Sequence, residues 1–354
     1  VKVILFILPN MKMGGAERII MTLINSIDKT KYKSKLLLMR KEGYYLKLLD
    51  QNTEIIELKK DRIRNAFFPV IKAIRKYKPA IVFGGWGEIS AFLSPIIPFF
   101  PKIHFITRET NIVSKHVIRP EIKFFYKFYN NFSTIVAQSE DMKSDLIKNL
   151  KIKESKIVKI NNPVDFDLIE SKLKEKIELP YLKENKNVIA IGNLSKRKGF
   201  DNLLKVFIYL KEENIHLYII GEGDEEENLK LQKEQNKLNN VHFLGKKTNP
   251  FPFIKNADLF VLSSRYEGFP NVLLEAGACG IFSIVNNCKG GINEIIQPNI
   301  NGKIVNIENF HLFANEIKRE VNIQHEKNII KKSIKDRYSK EKIIRQYEDL
   351  FSVI

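Results

Sequence analysis

The stretch Ser264-Arg265-Tyr266-Glu267-Gly268-Phe269-Pro270-Asn271-Val272-Leu273-Leu274-Glu275-Ala276 decides how the chain is read. It follows an apolar run, Ala257-Asp258-Leu259-Phe260-Val261-Leu262, that reads as a strand. Pro270 suits the first position of a helix, where its missing N–H costs nothing. Glu267 falls on the intervening loop. Glu275 lies eight residues later, about a turn and a half into the helix at ~1.5 Å rise per residue. Unpaired amides at a helix start attract phosphate or another anion. Strand, loop and helix therefore present anion-binding amides flanked by two acceptors for sugar hydroxyls. Spacing alone leaves a plainer alternative open, a loop acid followed by an ordinary helix acid.

Outward from this stretch, strand-like and helix-like segments alternate. Strands are expected over 1–8, 34–39, 80–84, 103–107 and 133–138, then 187–192, 215–220, 240–244, 258–262 and 281–285. Helices are expected over 15–27, 66–77, 88–97, 118–130 and 140–149, then 200–212, 224–237, 249–256, 270–279 and 309–321, with a last amphipathic helix over 340–351. Such alternation implies parallel sheets with right-handed crossovers. The pattern restarts at Val188-Ile189-Ala190-Ile191-Gly192, which makes two doubly wound α/β domains joined near Asn161–Val164. A length of 354 residues suits two domains. The loops Pro9–Gly15, Asn193–Gly199 and Ser263–Pro270 fall at carboxyl ends of strands, where ligands of such sheets bind.

Composition adds limits. The chain carries 59 basic and 41 acidic residues, a net charge of +18. That surplus suits nucleotide diphosphates, nucleic acid or anionic headgroups, and compositional drift explains it equally well. The two cysteines, Cys279 and Cys288, make neither a metal-spaced set nor a disulfide framework, which fits a reducing interior. The apolar opening Val1–Leu8 is too short for a membrane span and reads as a buried strand. Residues 89–106 hold Pro95, Pro98 and Pro101, which argue against an apolar spanning helix.

Four further motifs accompany the first: Gly14-Gly15-Ala16-Glu17-Arg18, Asn162-Pro163-Val164-Asp165, Gly192-Asn193-Leu194-Ser195-Lys196-Arg197-Lys198-Gly199 and Gly221-Glu222-Gly223. In this order and spacing the chain resembles the retaining glycosyltransferases of family 4, whose Glu267–Glu275 pair matches that family's E-x7-E motif. The resemblance runs from residue 1 to the terminal helix. It implies the GT-B fold, two Rossmann-like domains facing an interdomain cleft. Residues 1–163 would form an acceptor-binding domain, with helix 339–354 packing back on it, and residues 164–338 a donor-binding domain. It implies a transferase that moves a hexose or N-acetylhexosamine from a nucleotide sugar, with UDP as the expected nucleotide. The acceptor would be a lipid-linked or nascent glycan in bacterial polysaccharide, capsule or lipopolysaccharide assembly.

The resemblance also assigns roles. Lys198 and Arg197 would hold the donor diphosphate, Arg by its fork and Lys as a compact charge. Many relatives place the arginine where this chain has Asn193, and a solvated basic turn is the plainer alternative. Glu267 would bind donor sugar hydroxyls, amides near Gly268, Phe269 and Asn271 the sugar or phosphate, and Glu275 the ribose. Gly14 and Gly15 would let backbone approach a phosphate or acceptor. Glu109, in Ile106-Thr107-Arg108-Glu109-Thr110-Asn111, stands where many relatives carry a histidine. It is read as an acceptor contact or base, or as a partner of Arg108 alone. Gly290-Gly291 is assigned to packing. Asp165-Phe166-Asp167 has D-x-D spacing but sits in the linker signature, so no metal and no obligatory cofactor are expected. Glu267→Ala and Lys198→Ala should each abolish transfer with the fold intact.

Residues 113–132 interleave Lys115, Arg119, Lys123 and Lys127 with six aromatic residues. Such a stripe can lie on an anionic membrane surface or pack into the domain, and both fates stay open. The expected location is cytoplasmic, peripheral to the inner face of the plasma membrane. Rival readings are another GT-B sugar-nucleotide enzyme and a basic polyanion-binding protein. A nucleic-acid partner is not expected, because no nucleic-acid motif occurs.

Overall fold

The computed structural model describes every residue except Ile118, Leu182, Lys183 and Ile354. The described residues form two sheets, parallel throughout. The first has strands β1 (Lys2–Leu8), β2 (Tyr32–Leu38), β3 (Glu54–Glu57), β4 (Ile81–Gly84), β5 (His104–Arg108), β6 (Thr134–Ala137) and β7 (Ile157–Lys159), in the order β3-β2-β1-β4-β5-β6-β7. The second has β8 (Lys186–Ile191), β9 (Ile215–Ile220), β10 (Val241–Phe243), β11 (Leu259–Leu262), β12 (Ser283–Asn286) and β13 (Gly302–Val305), in the order β10-β9-β8-β11-β12-β13.

Strand β1 shows why both sheets are doubly wound. Its side chains alternate between faces, yet both sets are buried. Leu5 and Ile7 join one core with Ala66, Val70 and Ile74 of helix Ile63–Tyr77. Ile4, Phe6 and Leu8 join another with Ile20, Leu23 and Ile24 of helix Gly15–Ser26. A strand covered on both faces must be apolar throughout its covered length, as Val3–Leu8 is after the half-buried Lys2. In the second sheet, Val188 and Ala190 face one core and Ile189 another.

The chain divides into two compact units, Val1–Pro163 with Glu341–Ile354, and Val164–Lys340. The first contains helix Lys340–Ser352 almost entirely. Ile343, Ile344, Tyr347 and Phe351 of that helix are buried in the core with Phe6 and Phe83. The expected helix 118–130 begins on Ile118, outside the described residues, as is Ile354 at the end of 339–354. Beyond Ile118 the segment is a helix only over Pro120–Tyr126, followed by a 3-10 turn at Tyr129–Asn131. Residues 88–97 likewise split into helix Gly87–Leu93 and a 3-10 turn at Ser94–Phe99. No helix among the described residues is long and apolar enough to cross a membrane.

Candidate active site

Strand β11 delivers the chain to Ser263, and helix Asn271–Ala278 takes it away. Pro270 is the cap residue, one position before the helix begins, rather than the first helical residue that the sequence suggests. Between them the loop turns Glu267 inward, leaving it 5% exposed. Glu267 N donates to Lys289 O at 2.9 Å, so the loop is stitched to the turn after β12. That turn needs glycine. Gly290 has φ +109°, and a Cβ there would stand 1.8 Å from Glu267 O.

The basic loop after β8 meets this carboxylate. Lys198 Nζ donates to Glu267 Oε1 at 2.6 Å, and Arg197 Nη1 donates to Oε2 at 2.6 Å. Ser264 Oγ also donates to Oε1, at 2.6 Å. Burial alone would raise the Glu267 pKa, but Lys198, Arg197 and the Ser264 hydroxyl outweigh it and hold it at about 2. Burial lowers the Lys198 pKa, with Glu267 opposing. Glu267 stands ionised near neutrality. A carboxylate oxygen accepts about two hydrogen bonds. Oε1 is full, and Oε2 retains one position for a ligand hydroxyl. Each cation keeps N–H groups beyond the one spent on Glu267.

Residues without a signal in the sequence hold the two loops in register. Arg265 N donates to Arg197 O at 2.8 Å, and Ser263 Oγ to Lys198 O at 2.9 Å. Arg265 grips Asp201 bidentately at 2.8 and 2.7 Å. Asn286 Nδ2 donates to Ser264 O at 2.9 Å.

The second unit thus brings together Glu267, Arg197 and Lys198, with Gly268 and Phe269 on the same loop and Asn271 and Glu275 on the following helix. Glu275 is 6% exposed, so it is not the exposed helix acid of the plainer alternative. In the first unit, Gly14 caps helix Gly15–Ser26, and a Cβ on it would meet the flexible Glu17 carboxylate. Glu109 lies at the end of β5 and is 3% exposed. Its carboxylate accepts from the Tyr129 hydroxyl and, at 3.4 Å, from Tyr126. Arg108 instead donates to Asn162 Oδ1 at 2.5 Å, so Glu109 is not its simple ion-pair partner. Burial pushes Glu109 up to about 7, against the two tyrosines. Asp165 caps helix Phe166–Leu173 and pairs with Lys340 at 3.0 Å. The described residues hold no cluster of three or more metal-ligating side chains.

Residues 13–168 match the model described as Glycosyltransferase Family 4, and residues 171–337 match that of Glycosyl transferases group 1. The chain belongs to the family 4 glycosyltransferases. It is 30% identical over 264 residues to an uncharacterised glycosyltransferase of Methanocaldococcus jannaschii, spanning 68% of this chain and 63% of that protein. It is 26% identical to the N-acetylgalactosamine-N,N'-diacetylbacillosaminyl-diphospho-undecaprenol 4-alpha-N-acetylgalactosaminyltransferase of Campylobacter jejuni, over 84% of each. Anabaena HepE, crystallised with UDP and glucose, superposes over the whole of both chains with a TM-score of 0.83 at 19% identity. The fold of this glycosyltransferase is GT-B.

Proposed function

We propose that this glycosyltransferase transfers a hexose or N-acetylhexosamine from a UDP-sugar to a lipid-linked glycan in bacterial surface-polysaccharide assembly, with retention of the donor's configuration. The observation that carries the reading is the buried Glu267 carboxylate joined to Arg197 and Lys198 at 2.6 Å each. As the bond between the anomeric carbon and the phosphate oxygen breaks, charge accumulates on the departing diphosphate. Arg197 and Lys198 stabilise it with the N–H groups that Glu267 leaves them. Their positions are already set, so little reorganisation is needed. Glu267 has a second task, accepting from a donor sugar hydroxyl through Oε2. Gly268, Phe269 and Asn271 offer backbone amides to sugar or phosphate, and Glu275 accepts from the ribose. The acceptor hydroxyl attacks the same face of the sugar, forming the new C–O bond as the bond to phosphate breaks, and gives its proton to the departing diphosphate oxygen. The 1–163 unit, with Glu109, takes the acceptor, and Gly14 and Gly15 let backbone approach a phosphate or the acceptor. The UDP complex of HepE and the diphospho-undecaprenol acceptor in the Campylobacter enzyme's name support the two substrate classes.

Calorimetric titration with UDP, GDP and ADP, with and without chelator, tests the donor half. Binding of UDP that survives chelation and is lost in Lys198→Met is the expected result. Absence of nucleotide binding, or tighter binding of GDP or ADP, would overturn the assignment to UDP.

A further inference from the structure

Arg108 ends β5 with its guanidinium inside the first unit, 1% exposed. It spends Nη2 on Asn162 Oδ1. Its Nε and Nη1 have no hydrogen-bond partner among the described residues, and neither has the buried Tyr347 hydroxyl beside them. Guanidinium N–H groups left unpaired in the interior are costly, so they call for a cause. Two carboxylates favour the Arg108 charge, Glu17 and Glu109. Glu109 is already held by Tyr129 and Tyr126. Glu17 is not held in this way.

Glu17 is the third residue of helix Gly15–Ser26, a position from which a glutamate reaches back over the helix start. Its carboxylate does so here. A Cβ on Gly14 would stand 2.1 Å from Glu17 Oε2, and the carboxylate accepts from its own backbone N–H. The Gly14 cap offers no side chain for this purpose. First-turn amides lack intrahelical partners and draw an anion. Glu17 thus fills, with its own charge, the place that an anionic ligand takes. Burial works against that charge and raises the Glu17 pKa, while its backbone amide and Arg108 oppose the rise.

The two observations complete each other. The helix start holds an anion of the protein's own, and a fixed cation nearby keeps N–H groups that nothing uses. A glutamate turns about its side-chain torsions, so this carboxylate has two seats, the helix start and Arg108. We propose that Glu17 is a built-in competitor for a ligand phosphate at the start of helix Gly15–Ser26, and that Arg108 receives its carboxylate when the phosphate binds. The inference deepens the proposed function and rests on it, since it decides what the Gly14–Gly15 backbone takes. A phosphate brings more charge and more acceptor oxygens than Glu17 and displaces it. A neutral hydroxyl does not. The phosphate belongs either to the donor nucleotide or to the lipid diphosphate of the acceptor.

Calorimetric titration of the full chain with UDP and with farnesyl diphosphate, a soluble stand-in for a lipid-linked diphosphate, tests it. Glu17→Gln keeps the shape and removes the charge, and should tighten one of the two ligands by about fivefold. Arg108→Met removes the second seat and should weaken the same ligand by about as much. In Glu17→Gln/Arg108→Met that weakening should vanish, because no carboxylate is left to be seated. A side chain that only props the fold would weaken binding in every variant. Replacing a buried charge by an apolar side chain is often tolerated. If Arg108→Met nevertheless fails to fold, Glu17→Gln alone decides. Tightening of farnesyl diphosphate supports the proposal and assigns the phosphate to the acceptor, and tightening of UDP supports it and assigns the phosphate to the donor. If Glu17→Gln tightens neither ligand, or if the Arg108→Met loss persists in the double variant, the proposal is overturned. UDP binding by the wild type that Lys198→Met abolishes would leave the donor reading standing in that case, whereas a wild type that binds no UDP would sink the donor reading itself.

Discussion

Glu267 is held by two cations and a hydroxyl, and this changes what its removal should do. Sequence reasoning expects Glu267→Ala to abolish transfer with the fold intact. Lys198, however, is 8% exposed and would be left as a buried charge with no counter-ion. Stranding one member of a buried pair costs about 3–5 kcal/mol. Urea unfolding of Glu267→Ala should show a loss of this order along with the loss of transfer. Adding Lys198→Met should recover part of it, by roughly 0.5–3 kcal/mol relative to additivity. Strictly additive losses would mean that the pair is not coupled. Acid pH should report the same charge. A pKa of about 2 in the fold lies below the ~4.3 of an unfolded glutamate. The contribution is therefore present above about pH 4.3 and is lost as pH falls toward 2. Glu109 has the opposite sign. Its folded pKa of about 7 exceeds the unfolded value, so stability falls as pH rises from about 4.3 to 7 and is level above that. Glu109→Gln should flatten this fall, on the order of 4 kcal/mol. A wild-type slope in the variant would place the titration elsewhere. The acid, its two cations and the glycines were legible because chemistry confines them to one loop each. Ser264, Asn286 and the tyrosines around Glu109 were not, since a hydrogen bond between distant segments leaves no local pattern.

The two loops that form the site are elements of a sheet end, and their spacing depends on the turn that follows β12. Gly290 adopts a left-handed φ, and a Cβ on it would collide with the Glu267 carbonyl. Gly290→Ala should therefore push the Glu267 loop outward. Strain of this kind costs about 1–3 kcal/mol, and displacing a catalytic group by an ångström can cost ~100-fold in rate. A variant with wild-type turnover and melting temperature would show that the turn is dispensable. The same sheet ends explain what the sequence conceals at this scale. Strands β1, β4, β5, β8, β9 and β11 are interior, covered on both faces, and stand out as apolar runs. The expected list omits β3, β7 and β13, and each is an edge. Edges are kept short and partly polar. β3 reads EIIE, with exposed glutamates at both ends, and β7 has three residues. Helix Lys327–Tyr338 escaped for a related reason. Its sequence is charged nearly all round, and only Ile330, Ile334 and Tyr338 are buried. Ile334 packs so close to Gly277 that a Cβ there would stand 2.5 Å from it.

At the scale of the molecule, the chain leaves its first unit at Pro163 and returns to it at Glu341. The last helix is thus a structural part of the unit farthest from it in sequence. It places Ile343, Ile344, Tyr347 and Phe351 in the core around Phe83, each at most 5% exposed. Burial of one such side chain is worth about 1.5–3 kcal/mol. The four together give about 6–12 kcal/mol, comparable to the entire stability of a domain at about 5–15 kcal/mol. Truncation after Lys340 should therefore unfold the first unit at room temperature, while the Val164–Lys340 unit keeps its own two cores. Trp86, the single tryptophan, packs against both first-unit cores and reports on that unit alone. Its emission should shift to the red in the truncated chain, with one cooperative thermal transition left. On the proposed division of labour, UDP would still bind, because Glu267, Arg197 and Lys198 all belong to the second unit. Retention of native Trp86 emission would show that the terminal helix contributes far less than its burial implies. Loss of both transitions would show that the second unit also needs the first to fold.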